Sequence, residues 1–269
     1  MTGWTARFGA VRTALNFLPK ITSMSTRLLQ RCLSPLVDLL LPPHCAYCHQ
    51  ALPKESDREV YLCEICSAAF LKDEREACRR CGVPVGPYVD PSGPCSVCRP
   101  KRQRYSAVFR LNLYKDDLRN AVIRGKERGG EVLAAALADL LWREQSERLT
   151  DWKPDVIVPV PQHWKKRLCN PHHQADTLAE ALAARIQIPC RFGAIRKVRH
   201  TFDQSSLPRF RRVTSLDGAF APRDRSLAGK RVLIVDDILT TGSTASEVAR
   251  ALKLGGAKEV AVAVIAVVE

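Results

Sequence analysis

Long apolar runs are missing from this chain. Nowhere do its 269 residues offer the roughly 20 consecutive apolar side chains that a membrane-spanning helix needs. The nearest stretch is broken by Pro35, Asp38 and Pro42. Also missing is any G-x-x-x-x-G-K-[ST] sequence, because Lys126 and Lys230 each follow a single glycine with neither the earlier glycine nor the later Ser or Thr. That excludes a P-loop nucleotide hydrolase. Acids are scarce: 28 Asp and Glu stand against 42 Lys and Arg, a formal net charge of +14, and none lies in residues 1–37. Such an excess favours polyanionic partners, whether nucleic acid, a membrane surface or a pyrophosphate-bearing substrate.

Cysteine, by contrast, is abundant. Of eleven, eight form four C-x-x-C pairs: Cys45 and Cys48, Cys63 and Cys66, Cys78 and Cys81, Cys95 and Cys98. A two-residue gap lets both sulfurs of a knuckle reach one zinc ion. Fourteen residues separate the first two pairs and thirteen the last two, near the zinc-ribbon interval, so two tetrahedral sites can close in sequence. The interleaved pairing, first with third and second with fourth, is not excluded by the two-residue gaps. Four thiolates leave no open coordination position, which makes the sites structural. No complete signal peptide precedes the cysteines, so a reducing compartment is expected, and with it a soluble, cytoplasmic protein. Cys32, Cys169 and Cys190 lack such partners and read as buried or incidental thiols.

These features divide the chain. Residues 1–37 carry Arg7, Arg12, Lys20, Arg27 and Arg31, with Trp4, Phe8, Val11, Leu15 and Leu18 at roughly helical spacing. A transit peptide or surface-seeking helix would look like this, but periodicity over so few turns is weak, and we read a basic extension, partly helical or poorly ordered. Leu36 to Leu41 predicts a short helix leading into a zinc-ribbon module over about 38–100. The run RPKRQR, Arg99 to Arg104, is a basic hinge opening a third region, 101–269.

That region reads as α/β. Tyr105 to Tyr114 alternates apolar and polar residues as a strand does, and Asp117 to Arg128 is helical, with Leu118, Ala121, Val122 and Gly125 inward and Lys126 near its end. A long Ala- and Leu-rich helix, Glu131 to Arg148, precedes a buried strand, Pro154 to Val160. Its end, Pro159, Val160 and Pro161, is followed by Lys165, Lys166 and Arg167. A proline-stiffened loop with three consecutive cations suits a pyrophosphate. Gln174 to Ile186 predicts a helix with Leu178, Ala179, Leu182 and Ile186 on its core face. Residues 191–217 are strongly basic and lack a long apolar run, which predicts a flexible hood. Glu259 to Val268 closes the series as an apolar strand.

The centre of the pattern is KRVLIVDDILTTGST, Lys230 to Thr244. Val232 to Val235 predicts a buried parallel strand. Asp236 and Asp237 follow, then Leu239, Thr240, Thr241, Gly242, Ser243 and Thr244 open onto a helix with Ala245, Val248, Ala249 and Leu252 inward. A helix start offers unpaired N–H groups and a positive dipole end, and Gly242 lets backbone approach a ligand closely, so this loop can wrap a phosphate. Carboxylates at the end of such a strand sit in the crevice where open α/β sheets bind ligands, able to accept from sugar hydroxyls or hold magnesium.

This stretch closely resembles the phosphoribosyl pyrophosphate (PRPP) signature of type I phosphoribosyltransferases. The resemblance implies that Asp236 and Asp237 contact the ribose 2′ and 3′ hydroxyls, that Leu239 to Thr244 hold the 5′-phosphate, and that Lys126 reaches toward pyrophosphate. Taken with the cysteine pairs, the Pro159–Val160–Pro161 loop and matching positions His163, Gln174, Thr201, Gln204, Leu207, Gly218, Ala219 and Phe220, the chain from about Leu36 onward resembles the ComF family. Such proteins are implicated in natural competence and the handling of imported single-stranded DNA. The implied fold is a phosphoribosyltransferase-like parallel sheet behind a double zinc ribbon, and the implied cofactors are about two structural zinc ions and magnesium with PRPP. The implied activity is phosphoribosyl transfer with pyrophosphate release, the rival being a non-catalytic single-stranded DNA binder with a vestigial PRPP site. Where the family has an Arg-Gly-Phe-Asn-Gln run, this chain has Pro171, His172, His173 and Gln174.

Overall fold

The computed structural model describes residues 43–53, 61–101, 103–162, 173–198, 218–223 and 225–269. Expectations for the basic extension, the Leu36–Leu41 helix, Lys165 to Arg167, the two histidines at 172 and 163, and most of the hood fall outside the described residues.

Four apolar strands make the core sheet: β1 (Val108–Leu113), β2 (Val156–Pro159), β5 (Arg231–Leu239) and β6 (Glu259–Val267). They lie in the order β1-β6-β5-β2, every neighbouring pair parallel. Parallel strands need long crossovers, and these supply the covering helices. α2 (Asp116–Gly125) and α3 (Glu131–Trp152) join β1 to β2, α4 (Gln174–Ile186) follows β2, and α5 (Ser243–Leu254) joins β5 to β6. Leu137, Leu140, Leu178, Leu182 and Leu233 fill the core on one face, with Val158, Ile234, Val248, Leu252 and Val262 on the other. A short antiparallel pair, β3 (Ile195–Lys197) and β4 (Phe220–Pro222), flanks residues 199–217.

The alternation of β1 does not produce a wet face. All six of its residues are buried, Arg110 and Asn112 included, because the second ribbon lies over this strand. The main-chain N–H of Val108 donates to the Arg79 carbonyl at 2.7 Å. A side chain on Gly82, whose φ is +74°, would stand 3.0 Å from both Val108 and Val267. The ribbon thereby covers an edge that would otherwise be open to pairing.

The cysteines close consecutively. Cys45, Cys48, Cys63 and Cys66 form one group and Cys78, Cys81, Cys95 and Cys98 the other, with all sulfurs of a group within 4.8 Å of one another. Sulfur separations are 3.7 Å for Cys48–Cys63, 3.5 Å for Cys81–Cys95 and 3.9 Å for Cys78–Cys98. Sulfurs about 2.3 Å from a tetrahedral zinc stand roughly 3.8 Å apart, so both groups fit the metal. Burial opposes ionisation of Cys45, but N–H groups of Cys48, Cys63 and Tyr47 prevail and bring its thiol down to about 7. In the second group burial of Cys78 is likewise outweighed, by N–H groups of Cys95, Cys81 and Arg80, and its thiol also falls to about 7. Zinc takes thiolates, so the backbone favours the binding form at one cysteine of each site.

The first ribbon rests on α2. α1 (Glu64–Phe70) brings Phe70 against Tyr47, ring centroids 5.1 Å apart. The Tyr47 hydroxyl donates to Asp117 at 3.0 Å, and Arg124 donates to the Tyr47 carbonyl at 2.8 Å with its guanidinium over the ring. Metal analysis should find about two zinc ions per chain. Cys98→Ser and Cys48→Ser should each leave about one, with the larger fall in thermal midpoint for Cys98→Ser, whose site is fully buried against β1. A metal-free wild-type chain with an unchanged midpoint would contradict this.

Candidate functional site at the carboxyl edge of the sheet

β2 pairs with β5 only from Val156 opposite Val232 to Pro159 opposite Val235, and a last bond runs from the Val160 N–H to the Val235 carbonyl at 2.9 Å. β5 continues beside β6 alone as far as Leu239. Asp236 and Asp237 therefore belong to the strand itself, at the step where one neighbour has stopped. Pro159, Val160 and Pro161 end at the same level, so the crevice joins the proline loop to the acids. This is the ligand position of open α/β sheets.

Lys126, the residue closing α2, reaches this crevice. Its ammonium lies 2.6 Å from the Asp237 carboxylate. Burial would depress the lysine, but Asp237 outweighs it and holds the ammonium above its ordinary range. Asp236 is partly open to the crevice and otherwise enclosed by protein. Burial first, and the charge of Asp237 second, raise its carboxyl well above the usual value. Among the described residues one cation, Lys126, faces the two acids, and the acid without the ion pair bears the cost of desolvation.

The loop after β5 turns at Gly242, which has φ +75° and caps α5 with no side-chain cap bond. Gly242 itself therefore supplies no side-chain cap to the early amides of α5. Thr241 and Ser243 share a hydroxyl contact of 2.8 Å, and the Ser243 N–H donates to Thr241 Oγ1 at 3.3 Å. Leu239 is buried and anchors the loop, whereas Thr240 is exposed. Thr244 is half-buried in the first turn of α5.

Two supporting side chains went unassigned a role by sequence reasoning. Gln174, buried at the start of α4, donates to the Val122 carbonyl at 3.2 Å and lies so close to Gly125 that a side chain there would collide with it. It fixes the last turn of α2 and hence the root of Lys126. Tyr105 is buried between the second cysteine group and Gly242. Burial, and then Cys81 and Cys98, push its phenol up, so it stays protonated. No spacing rule announces either one, since both act across distant segments.

With the geometry in view, the class follows: a phosphoribosyltransferase-type domain carrying a double zinc ribbon. The Phosphoribosyl transferase domain family matches residues 171–268 and the Double zinc ribbon domain family residues 36–99. The DNA utilization protein YhgH of Salmonella typhi is 33% identical over 208 residues, covering 75% of this chain and 88% of that protein. Competence protein F of Haemophilus influenzae is 28% identical, covering 69% and 82%. The chain belongs to the ComF family. Among solved structures, the glutamine PRPP amidotransferase of B. subtilis aligns at 21% identity with a TM-score of 0.34, over 51% of this chain and only 28% of that one.

The buried acid yields a stability prediction. A carboxyl raised in the folded state costs nothing below its unfolded value near pH ~4, and the penalty grows as pH rises toward the folded value. Asp236→Asn should therefore stabilise the protein at neutral pH, read as a higher thermal midpoint. The gain should shrink to nothing as pH falls toward ~4. A constant gain at every pH, or a loss at neutral pH, would contradict the assignment.

Proposed function

We propose that the crevice binds Mg-PRPP and that the protein transfers the phosphoribosyl group to a nucleophilic acceptor, releasing pyrophosphate. The observation that carries this reading is the convergence of the paired acids, the glycine-turned loop at the head of α5 and Lys126 at one strand end. Asp236 and Asp237 would accept from the ribose hydroxyls. Leu239, Thr240, Thr241, Gly242, Ser243 and Thr244 would hold the 5′-phosphate through main-chain amides and hydroxyls. Lys126, with Lys165, Lys166 and Arg167, would neutralise the pyrophosphate side, and Pro159, Val160 and Pro161 would shape its wall.

In the reaction the C1–O bond of PRPP breaks with its electron pair going to pyrophosphate, and the acceptor supplies the pair for the new bond at C1. Fixed cations around the departing pyrophosphate stabilise that charge shift. Magnesium, when bound with PRPP, would add Lewis-acid neutralisation of the same oxygens. Lys126 would exchange Asp237 for a pyrophosphate oxygen, freeing the acid for the sugar.

A second reading is supported by the second ribbon's surface and by the names of the relatives, one a DNA utilization protein and another a competence protein. Arg79, Arg99, Lys101 and Arg104 are exposed there, as is the ring of Tyr88. Cations with an aromatic face suit single-stranded DNA.

Calorimetric titration with Mg-PRPP tests the first reading. Asp236→Ala should abolish saturable binding, and Lys126→Ala should weaken PRPP about tenfold or more, the loss of a charge-assisted bond, while leaving ribose 5-phosphate nearly unaffected. A screen for pyrophosphate release over bases and nucleic acids would identify the acceptor. If PRPP does not bind and DNA affinity falls steeply with salt, the second reading takes its place.

A further inference from the structure

The phosphate loop has a neighbour that the phosphoribosyl reading leaves unused. Tyr105 is only 3% exposed, and its hydroxyl is buried with no hydrogen-bond partner among the described residues. A desolvated hydroxyl without a partner is costly, so each one in a native fold requires an account. This hydroxyl lies 2.5 Å from the position that a Cβ on Gly242 would take. It therefore fills the space that the missing side chain of the loop glycine leaves open.

Its position is held from both sides. The preceding residue, Arg104, donates its main-chain N–H to Ser246 at 3.2 Å and its guanidinium to Glu247 at 2.9 Å. Ser246 and Glu247 belong to the opening turns of α5, so the linker is fastened to the helix whose N-terminus forms the loop. After Tyr105, the Ser106 N–H donates to the Val260 carbonyl at 2.8 Å and ties the chain to β6. A phenol fixed in this way cannot swing to water to satisfy its O–H. In this conformation the hydroxyl is closed to solvent, and Gly242, the loop residue beside it, is the one whose shift would open it to a group entering the loop.

We propose that the Tyr105 hydroxyl is a further ligand-binding donor of the loop, supplied by the linker that follows the second ribbon and directed at the phosphate of a bound sugar phosphate. The proposal deepens the phosphoribosyl reading and rests on it. It makes the module boundary part of the binding site, because the residue completing the phosphate pocket comes from the segment that leaves the second cysteine group. A bare loop of amides accepts any compact anion. An added O–H at a fixed height favours a tetrahedral phosphate seated on Gly242.

Ribose 5-phosphate is the appropriate probe, because it carries the phosphate without the pyrophosphate and so reports on the loop apart from Lys126. In the full zinc-loaded chain, Tyr105→Phe, which keeps the ring, should weaken it about tenfold, the loss of one hydrogen bond to a charged group. Zinc content and thermal midpoint should stay at wild-type values. Gly242→Ala attacks the same contact from the loop side, and by displacing the hydroxyl it should leave nothing for the second change to remove. The Tyr105→Phe/Gly242→Ala double variant should therefore bind no more weakly than Gly242→Ala alone. Unchanged affinity in Tyr105→Phe, or additive losses in the cycle, would overturn the proposal while leaving the phosphoribosyl reading standing. Failure of the unaltered chain to bind either PRPP or ribose 5-phosphate would overturn both.

Discussion

Two adjacent carboxylates cannot both sit charged at the end of a buried strand without a cation to face them. That constraint organises this molecule. β5 carries its apolar run into the centre of a parallel sheet, and the next two residues emerge as acids where β2 has ended. Lys126 answers Asp237 across the crevice, and Asp236 is left with the desolvation penalty. The arrangement is poor for stability and good for binding. Under the proposed function, a polyol and a cation brought by a ligand would offset that penalty and turn it into affinity.

The ribbons have a place in the same economy of charge and packing. α2 has only ten residues, too few to be stable in isolation, yet it must hold Lys126 at a fixed height. The first ribbon steadies it through Tyr47 and Arg124. The second ribbon covers β1 and passes through the linker to Tyr105 and the loop. Metal held by these modules would thus support two walls of the crevice from a distance. Among the described residues no helix is long and apolar enough to cross a membrane.

What the sequence made legible was what is local. The motif at Asp236 to Thr244 reads clearly because strand, acids, loop and helix are contiguous, and Gln174 to Ile186 declares its own helix by spacing and composition. The cysteine pairs announce two sites, and the intervals between them favour consecutive closure without excluding the interleaved one, which three-dimensional proximity rules out. β1 shows the limit most plainly. Arg110 and Asn112 look like a solvent face until another module covers them. Lys126 bonded to Asp237, and Tyr105 beneath Gly242, join segments far apart in the chain, and no periodicity encodes such meetings.

The central claim is that the end of β5 is a sugar-phosphate site whose acids are held ready by Lys126. A crystal structure of the zinc-loaded protein with magnesium and PRPP tests it most directly. The account predicts the 5′-phosphate seated on Thr240 to Thr244, the ribose hydroxyls on Asp236 and Asp237, and Lys126 drawn from Asp237 to the pyrophosphate. PRPP bound elsewhere, with the Lys126–Asp237 pair intact and nothing in the loop, would contradict it.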